Sequence, residues 1–198
     1  MFLISGTLLG CVRENDILGH DKDIDVGVFE KPGLDKRAVA NVLATYGCFS
    51  IKPYPTDTLI RAQHASGVLI DVFWHRLEDG RVIHEGLKSK WWNTAFDLVE
   101  HSFLGEQFLT PSNHDLYLTE NYGQWRRPVT DFETFADTPN MILTNVGEIM
   151  WYYYIKLTEY YYSGNLPAFT KVAKGVLLHR PADKQVAEIL NRLIDDAA

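Results

Sequence analysis

The sequence predicts an α+β fold: a mixed β-sheet with helices, followed by a helical layer toward the C-terminus. Three observations predict it. Short apolar or alternating runs end at glycine, proline or serine in the first half, which is the pattern of strands and turns. Apolar residues at helical spacing interrupt these strands, and residues 141–163 and 182–196 read as further helices. With 198 residues and 46% hydrophobic content, the chain can build a core of its own.

Local signals define the elements of the first half. Phe2–Ile4 reads as a buried strand that Ser5-Gly6 stops, and Thr7 is expected to cap a helix over residues 8–14. The later elements are expected, in chain order, as a strand over 24–29, a helix over 34–46 that ends at Gly47, strands over 59–65 and 68–75 around a Ser66-Gly67 turn, and a hairpin at Asp79-Gly80 that returns through 81–84. Residues 87–140 carry scattered aromatics and prolines, and we expect loops there.

Charge and cysteine content exclude several classes of protein. The formal charge is −7, which argues against a general nucleic-acid-binding surface. Cys11 and Cys48 lack partners at zinc-ligand spacing, and two reduced thiols are a simpler interpretation than a disulfide. No apolar run approaches the roughly 20 residues that span a bilayer, and no basic signal-peptide segment follows Met1. We therefore expect a cytoplasmic protein.

Asp23 and Asp25 lie two residues apart in a predicted strand, so both side chains project from one face of the sheet. Two adjacent carboxylates repel each other unless a cation or a proton lies between them. Mg²⁺ prefers oxygen ligands, usually one or two carboxylates together with substrate phosphates. The spacing therefore predicts half of a metal site.

Gly6 and Thr7 lie where a strand ends and a helix begins, which presents free N–H groups to an anion. Glycine lets the backbone approach a phosphate closely, and the threonine hydroxyl is a further donor. Arg13 follows at a distance from which it can reach the same anion. These three residues are the predicted phosphate-binding group.

Asp71 lies within an otherwise apolar strand, where an ionised carboxylate is costly unless it is paired or metal-bound. Two roles are open for it. It can complete the metal site with Asp23 and Asp25, or it can pair with a buried arginine, Arg61 on the neighbouring strand.

The combined pattern resembles the LicD family of the nucleotidyltransferase superfamily, which includes bacterial phosphocholine transferases and fukutin-type ribitol-phosphate transferases. The resemblance spans roughly residues 3–130. It is carried by three stretches, which are Gly6-Thr7-Leu8-Leu9-Gly10 with Arg13 and His20-Asp21-Lys22-Asp23-Ile24-Asp25-Val26, then Leu69-Ile70-Asp71-Val72-Phe73, then Tyr117-Leu118 with Tyr122-Gly123-Gln124-Trp125 and Pro128.

The resemblance implies a polymerase-β-like nucleotidyltransferase core over residues 1–140, with residues 141–198 as a helical extension packed on it in a single domain. It implies Mg²⁺, with Mn²⁺ as an alternative, held by Asp23, Asp25 and Asp71. Family members often have an acidic residue where this chain has Lys22. Asp21 is therefore left with two alternatives, a contact with the metal through water or pairing with Lys22.

Such enzymes move the phosphoalcohol group of a CDP-activated alcohol to a sugar hydroxyl and release CMP. The resemblance thus implies in-line displacement at phosphorus, with a choline, glycerol or ribitol donor and a cell-surface glycan as acceptor. Peripheral association with a membrane through that acceptor is compatible with this expectation. Asp71 is the best candidate to receive the proton of the acceptor hydroxyl.

Two other functions use the same features. A nucleotidyltransferase would move a nucleoside monophosphate with the same three carboxylates and release pyrophosphate. A non-catalytic nucleotide-binding module is the second alternative, but it has no need of a paired-metal site.

Several remaining residues have two interpretations. His20 either touches a phosphate or lies in a surface turn, and His64 alternates with Gln63 and Arg61 so that not all can face one site. The segment Tyr122–Pro128 either shapes a substrate pocket or forms a packing corner. The two tyrosine runs, at 152–154 and 160–162, resemble a carbohydrate platform, but their helical spacing favours core packing.

Overall fold

The chain alternates strands and helices in its first half and is helical toward its C-terminus, as described by a computed structural model for residues 1–195. The strands are β1 (Phe2–Leu3), β2 (Asp23–Phe29), β3 (Phe49–Lys52), β4 (Leu59–His64), β5 (Leu69–Glu78), β6 (Arg81–Glu85), β7 (Ser89–Thr94), β8 (Leu98–Phe103), β9 (Glu106–Pro111) and β10 (Met141–Leu143). The helices are α1 (Ser5–Arg13), α2 (Lys36–Thr45), α3 (His114–Tyr122), α4 (Thr134–Asp137), α5 (Val146–Ser163), α6 (Leu166–His179) and α7 (Lys184–Asp195).

These residues form two compact units. Unit 1 comprises Met1–Arg126 and Pro139–Ile142, and unit 2 comprises Arg127–Thr138 and the chain from Leu143 onward. Unit 1 holds the sheet, whereas unit 2 is helical. The expectation of a single domain in which the extension packs on the core over a boundary at residue 140 stays a prediction.

The main sheet of unit 1 is mixed, which confirms the predicted α+β class. Its strand order is β1-β2-β5-β6-β7-β10, and β4 also pairs with β5 and carries β3 on its other side. Strands β2 and β5 are parallel, whereas β1 is antiparallel to β2, and β4 and β6 are antiparallel to β5. The first half of β5 therefore lies between β2 and β4, in the middle of the sheet.

One face of this central region forms the core of unit 1. The alternation in β2 buries Val26 and Val28, and Val72 of β5 lies beside them in the same cluster. Helix α2 adds Val39 and Leu43 to that cluster. The opposite face of β2 and β5 carries the carboxylates of Asp23, Asp25 and Asp71 near the starts of the two strands.

Several helix starts differ from the predicted ones. The predicted helix over residues 141–163 is wrong at its start, because Met141–Leu143 forms β10 and α5 begins at Val146. Helix α1 begins at Ser5 rather than Leu8, with Ile4 at its N-cap, so the predicted capping role of Thr7 is wrong. Helix α2 begins at Lys36, because the Asp35 carboxylate accepts a hydrogen bond of 2.7 Å from the Ala38 amide.

The predicted loop region over residues 87–140 is also wrong, because it contains regular structure. Strand β7 extends the main sheet, and β8 and β9 form a separate antiparallel hairpin. Helix α3 follows that hairpin, and Glu120 fixes it to β7 by accepting hydrogen bonds from Asn93 and from the amide and hydroxyl of Thr94. The predicted hairpin at Asp79-Gly80 is confirmed.

Unit 2 is built on α5, α6 and α7, which share one apolar cluster. Helix α5 begins after Asn145, whose side chain accepts from the Glu148 amide, and ends at Gly164 in the left-handed conformation. Helix α6 was absent from the predicted elements. Helix α7 covers most of the second predicted helix, and residue 196 lies outside the described residues.

The tyrosine runs of α5 divide between packing and exposure. The hydroxyls of Tyr152 and Tyr160 donate to the buried Glu133 carboxylate at 2.7 and 2.6 Å, and Tyr153 is 2% exposed. Packing is therefore confirmed for these residues. The prediction of core packing is wrong for Tyr161 and Tyr162, which are 50% and 83% exposed.

Two further sequence expectations can be compared with the described residues. Cys11 and Cys48 are free thiols, as predicted. Among residues 1–195, no helix has the length and apolar character that a bilayer crossing requires.

Candidate active site

Strand register brings the three predicted carboxylates together. Asp25 of β2 lies directly beside Asp71 of β5 in the parallel pair, and Asp23 precedes Asp25 by one repeat on the same face. Each of the three offers a carboxylate oxygen that lies within 4.8 Å of the other two. Asp71 is buried, whereas Asp23 and Asp25 are partly buried. The spacing that predicted the cluster and the observed geometry agree.

The carboxylates destabilise one another's charge. Burial raises the pKa of Asp25 well above its ordinary value, and the negative charges of Asp23 and Asp71 raise it further. Burial and the charges of Asp71 and Asp21 likewise raise the pKa of Asp23. A cation between these oxygens would remove the repulsion.

The donor set fits a hard divalent cation. The three facing groups are all carboxylates, which suit Mg²⁺ and Mn²⁺, whereas zinc sites of this size rely on histidine and cysteine. The described residues contain no other group of three such ligands.

Arg61 contacts the cluster from β4, which pairs with the edge of β5 that faces away from β2. It lies directly across from Asp71 in the antiparallel β4–β5 pair. Its Nε donates to Asp71 Oδ1 at 2.8 Å, and its Nη2 donates to Asp71 Oδ2. This pairing raises the pKa of Arg61. The pairing with Arg61 is therefore confirmed for Asp71, and its position beside Asp23 and Asp25 leaves its role as a metal ligand a prediction.

Thr7 and Gly6 lie next to the carboxylates, in roles that the sequence did not reveal. The Thr7 hydroxyl accepts a hydrogen bond of 2.9 Å from the Asp25 amide, so it fixes the start of α1 against β2. At Gly6, a Cβ atom would lie 2.6 Å from Asp21 Oδ2. An added methyl group would therefore force the Asp21 carboxyl group to shift, whether or not a phosphate approaches.

The first turn of α1 has amide groups without partners inside the helix, which is the feature on which the predicted anion site depends. The first intrahelical hydrogen bond runs from the Leu8 amide to the Ile4 carbonyl, so the amides of Gly6 and Thr7 precede it. Ser5 has a left-handed φ of 48°, an uncommon conformation for a residue with a side chain, directly before these amides.

Arg13 is tied to the segment that follows α3. Its Nη1 donates to the Trp125 carbonyl at 3.0 Å, and its Nε donates to Glu14 at 2.6 Å. Trp125 is buried, and Arg126 lies over its ring at 4.3 Å while it pairs with Asp115. These contacts are those of a packing corner, and a substrate role for Tyr122–Pro128 stays a prediction.

Asp21 and the two histidines have separate surroundings. The carboxyl groups of Asp21 and Asp23 share a hydrogen bond, and burial raises the pKa of Asp21 against smaller opposing effects of the Lys22 amide and His20. His64 instead contacts Ser66, at 2.8 Å, and the ring of Phe49. His20 therefore lies near the carboxylate cluster, whereas His64 contacts the hairpin turn and β3.

Comparison with known proteins agrees with this arrangement of residues. Residues 1–113 match the family described as LicD/FKTN/FKRP, nucleotidyltransferase domain. The chain belongs to the LicD family. The matched residues include the three carboxylates and Arg61, whereas all of α3 and all of unit 2 lie beyond them.

Membership of the LicD family makes the chain a transferase-type protein with a nucleotidyltransferase-like domain. Among solved structures, the chain is similar to a lincosamide antibiotic adenylyltransferase, LnuA, with lincomycin bound. The identity is 15% and the TM-score 0.34, over 57% of this chain and 67% of that one. No curated protein matches the chain.

Proposed function

We propose that this LicD-family protein is a metal-dependent phosphotransferase. It moves a choline-, glycerol- or ribitol-phosphate group from a CDP-activated donor to a sugar hydroxyl of a cell-surface glycan and releases CMP. One observation carries the proposal: adjacent parallel strands of the LicD domain present Asp23, Asp25 and Asp71 with facing oxygens within 4.8 Å.

Asp23, Asp25 and Asp71 are the residues that would hold Mg²⁺, or Mn²⁺ in its place. When bound, the cation supplies neutralisation of charge on the donor diphosphate and orientation of its oxygens. The chain supports these ligands itself, because Thr7 holds the Asp25 backbone and Arg61 holds the Asp71 carboxylate.

The start of α1 is the proposed phosphate-binding element. The amides of Gly6 and Thr7 lie at the helix N-terminus beside Asp25, where the partial positive charge of the helix favours an anion. Arg13 adds positive charge one helix length away and holds the segment at Trp125.

Asp71 is the group that we assign to receive the proton of the acceptor hydroxyl. Each of its oxygens accepts one hydrogen bond from Arg61 and keeps a further lone pair. The donor and the glycan are the partners that follow, and the formal charge of −7 argues against a general nucleic-acid-binding surface. A cytoplasmic location, with peripheral contact to a membrane through the acceptor, belongs to the same proposal.

The substitution Asp25→Asn tests the proposal. It removes one ligand charge and keeps the shape of the side chain, so transfer should fall by about three orders of magnitude or more. The metal-free variant should be at least as stable as the parent protein, because it relieves repulsion that raises the pKa of Asp25. The measurement is release of CMP from CDP-choline, CDP-glycerol and CDP-ribitol with Mg²⁺, with thermal unfolding in EDTA.

The matched control is Asp57→Asn, because the Asp57 side chain is fully exposed. That variant should keep full activity. Full activity of Asp25→Asn would contradict the metal site. Release of pyrophosphate from a nucleoside triphosphate, without CMP release from any CDP-alcohol, would instead identify a nucleotidyltransferase.

A further inference from the structure

Arg61 places a permanent positive charge against the predicted metal ligands. The β4–β5 register aligns its side chain with Asp71, and both of its hydrogen bonds end on that carboxylate. A guanidinium group does not lose its proton in proteins. The Asp71 side chain is 3% exposed and that of Arg61 is 37% exposed, so the arginine covers the carboxylate on the solvent side.

The guanidinium group of Arg61 has a second contact, with an aromatic ring. Its guanidinium carbon lies 5.8 Å from the centroid of the Tyr54 ring, in a cation–π contact. A fork that is bidentate on one side and covered by an aromatic ring on the other has little freedom to move. Arg61 is therefore a fixed charge of the site.

The charges of the cluster show what this fixed arginine does. Asp23, Asp25 and Asp71 bring three negative charges together when all are ionised, and Asp21 lies beside Asp23 as a fourth carboxyl group. Arg61 cancels one of these charges and directs both of its hydrogen bonds to the buried ligand. A divalent cation at the same oxygens would be repelled by it.

We propose that Arg61 is a resident counter-cation of the carboxylate cluster, which weakens metal binding by the free protein so that the metal is retained together with the donor phosphates. This role rests on the proposed function. The phosphates of the donor bring the negative charge that Arg61 cancels, and Mg²⁺ in such sites is commonly held by one or two carboxylates plus substrate phosphates. Arg61 is thus a positioning residue, since it acts through Asp71.

The test is metal binding in the absence of nucleotide. Calorimetric titration with MnCl₂ and with MgCl₂ should show that Arg61→Gln binds the cation on the order of tenfold more tightly than the parent protein, because one repelling charge is gone; the partial exposure of Arg61 keeps the change from being larger. Arg61→Met keeps the apolar stem and should behave in the same way. Arg61→Lys keeps the charge and should stay within about threefold of the parent affinity.

Arg76→Gln is the matched control. Arg76 is likewise an ion-paired arginine of the sheet. It pairs with the carboxylates of Glu78 and Glu85, and its side chain is 32% exposed. Its substitution should leave the metal affinity unchanged. Thermal unfolding in EDTA and with Mg²⁺ should show that Arg61→Gln gains more stability from the metal than the parent protein does.

The outcomes separate this inference from the proposed function. Equal or weaker metal binding by Arg61→Gln and Arg61→Met, beside measurable binding by the parent protein, would overturn the role of Arg61 and leave the metal site standing. Absence of binding by the parent protein and by both neutral variants would also overturn the role of Arg61, whereas the proposed function fails only if Mg²⁺ brings no release of CMP from any CDP-alcohol. Failure of both neutral variants to fold, with or without Mg²⁺, would make Arg61 a structural residue and equally overturn its proposed role.

Discussion

Gly6 of the proposed phosphate-binding element lies against the carboxyl group of Asp21, which neighbours Asp23 of the carboxylate cluster. A methyl group at Gly6 would meet Asp21 Oδ2 at 2.6 Å, too close for two non-bonded atoms. Two reasons for glycine are therefore available at this position, the Asp21 carboxyl group and the approach of a phosphate. They can be separated by experiment.

Gly6→Ala should lower the free energy of unfolding by about 1–2 kcal/mol, because the Asp21 carboxyl group has to move away from the new methyl group. Adding Asp21→Ala removes the obstacle and should restore most of that loss. Transfer activity should stay low in the double variant, because the methyl group still covers the backbone that faces the donor. Urea unfolding and CMP release measure the two effects.

The single variant Asp21→Ala serves as the control for this cycle. If the two substitutions were simply additive in stability, the contact between Gly6 and Asp21 would not be the reason for the glycine. Full activity of the double variant would argue against a phosphate at Gly6.

At single residues, the sequence predicts what depends on alternation and not what depends on distant partners. The alternation in β2 predicted that Asp23 and Asp25 share a face, and the resemblance to the LicD family added Asp71, which the structure places beside them. The predicted capping role of Thr7 was wrong, because α1 begins at Ser5 and the Thr7 hydroxyl accepts from the Asp25 amide, 18 residues away. Nothing in the local sequence distinguishes that use from a helix cap.

At the level of elements, the Asp79-Gly80 turn holds β5 and β6 in register. Both turn residues have positive φ, 49° and 74°, which is the geometry that favours the twist of a two-residue hairpin. The residues on either side then pair as Glu78 with Arg81. The turn is therefore a local determinant of the alignment that follows.

Gly80→Ala should destabilise the protein by about 1 kcal/mol, since alanine is strained at positive φ. Chemical denaturation measures this directly. Gly19→Ala is the matched control, because a Cβ at Gly19 meets no atom within 4 Å and its φ is not in the left-handed range. Equal effects of the two substitutions would show that the turn conformation does not limit stability.

The β8–β9 hairpin shows why part of the region after residue 87 was predicted as loops. Its turn residues, Leu104 and Gly105, also have positive φ, 52° and 85°. Leucine is a poor residue for that conformation, so the sequence lacks the usual signal of Asp-Gly or Asn-Gly. The local sequence predicted the β5–β6 hairpin and missed the β8–β9 hairpin, because only the β5–β6 turn carries favourable turn residues.

On the scale of the whole chain, the division into two units was not readable from the sequence. The segment Pro139–Ile142 leaves unit 2 and returns to the sheet, where the Asn140 side chain donates to the Trp92 carbonyl at 2.5 Å. Such a return depends on pairing over 48 residues. Helical spacing begins at residue 141 in the sequence, so a single boundary at residue 140 was the natural expectation.

The pH dependence of the whole protein combines groups with opposite effects. Burial lowers the pKa of His75 to about 4, and burial together with His75 lowers the pKa of His84 well below its ordinary value. The two rings lie 4.6 Å apart inside the sheet, and His75 Nδ1 contacts the Phe73 carbonyl at 3.0 Å. Both histidines are therefore neutral in the folded state at neutral pH.

The sign follows from where the protons bind. Below about pH 6.5 the unfolded chain takes up a proton at His75 that the folded protein refuses, so the stability present above that pH is lost as the pH falls toward 4. Between pH 7 and pH 5, the low pKa of His75 should lower the free energy of unfolding by about 2 kcal/mol. The carboxylates oppose the trend, because the raised pKa values of Asp23 and Asp25 mean that protonation relieves their repulsion.

A comparison of variants isolates the histidine contribution from that of the carboxylates. His75→Gln keeps a hydrogen-bond donor and does not titrate, so its loss of stability between pH 7 and 5 should be smaller than that of the parent protein by about 2 kcal/mol. Urea unfolding at both pH values measures this difference, in which the carboxylate contributions cancel. His179→Gln, at the end of α6 in unit 2, should retain the pH dependence of the parent protein. An unchanged pH dependence in His75→Gln would show that the buried imidazole takes up its proton without cost to the fold.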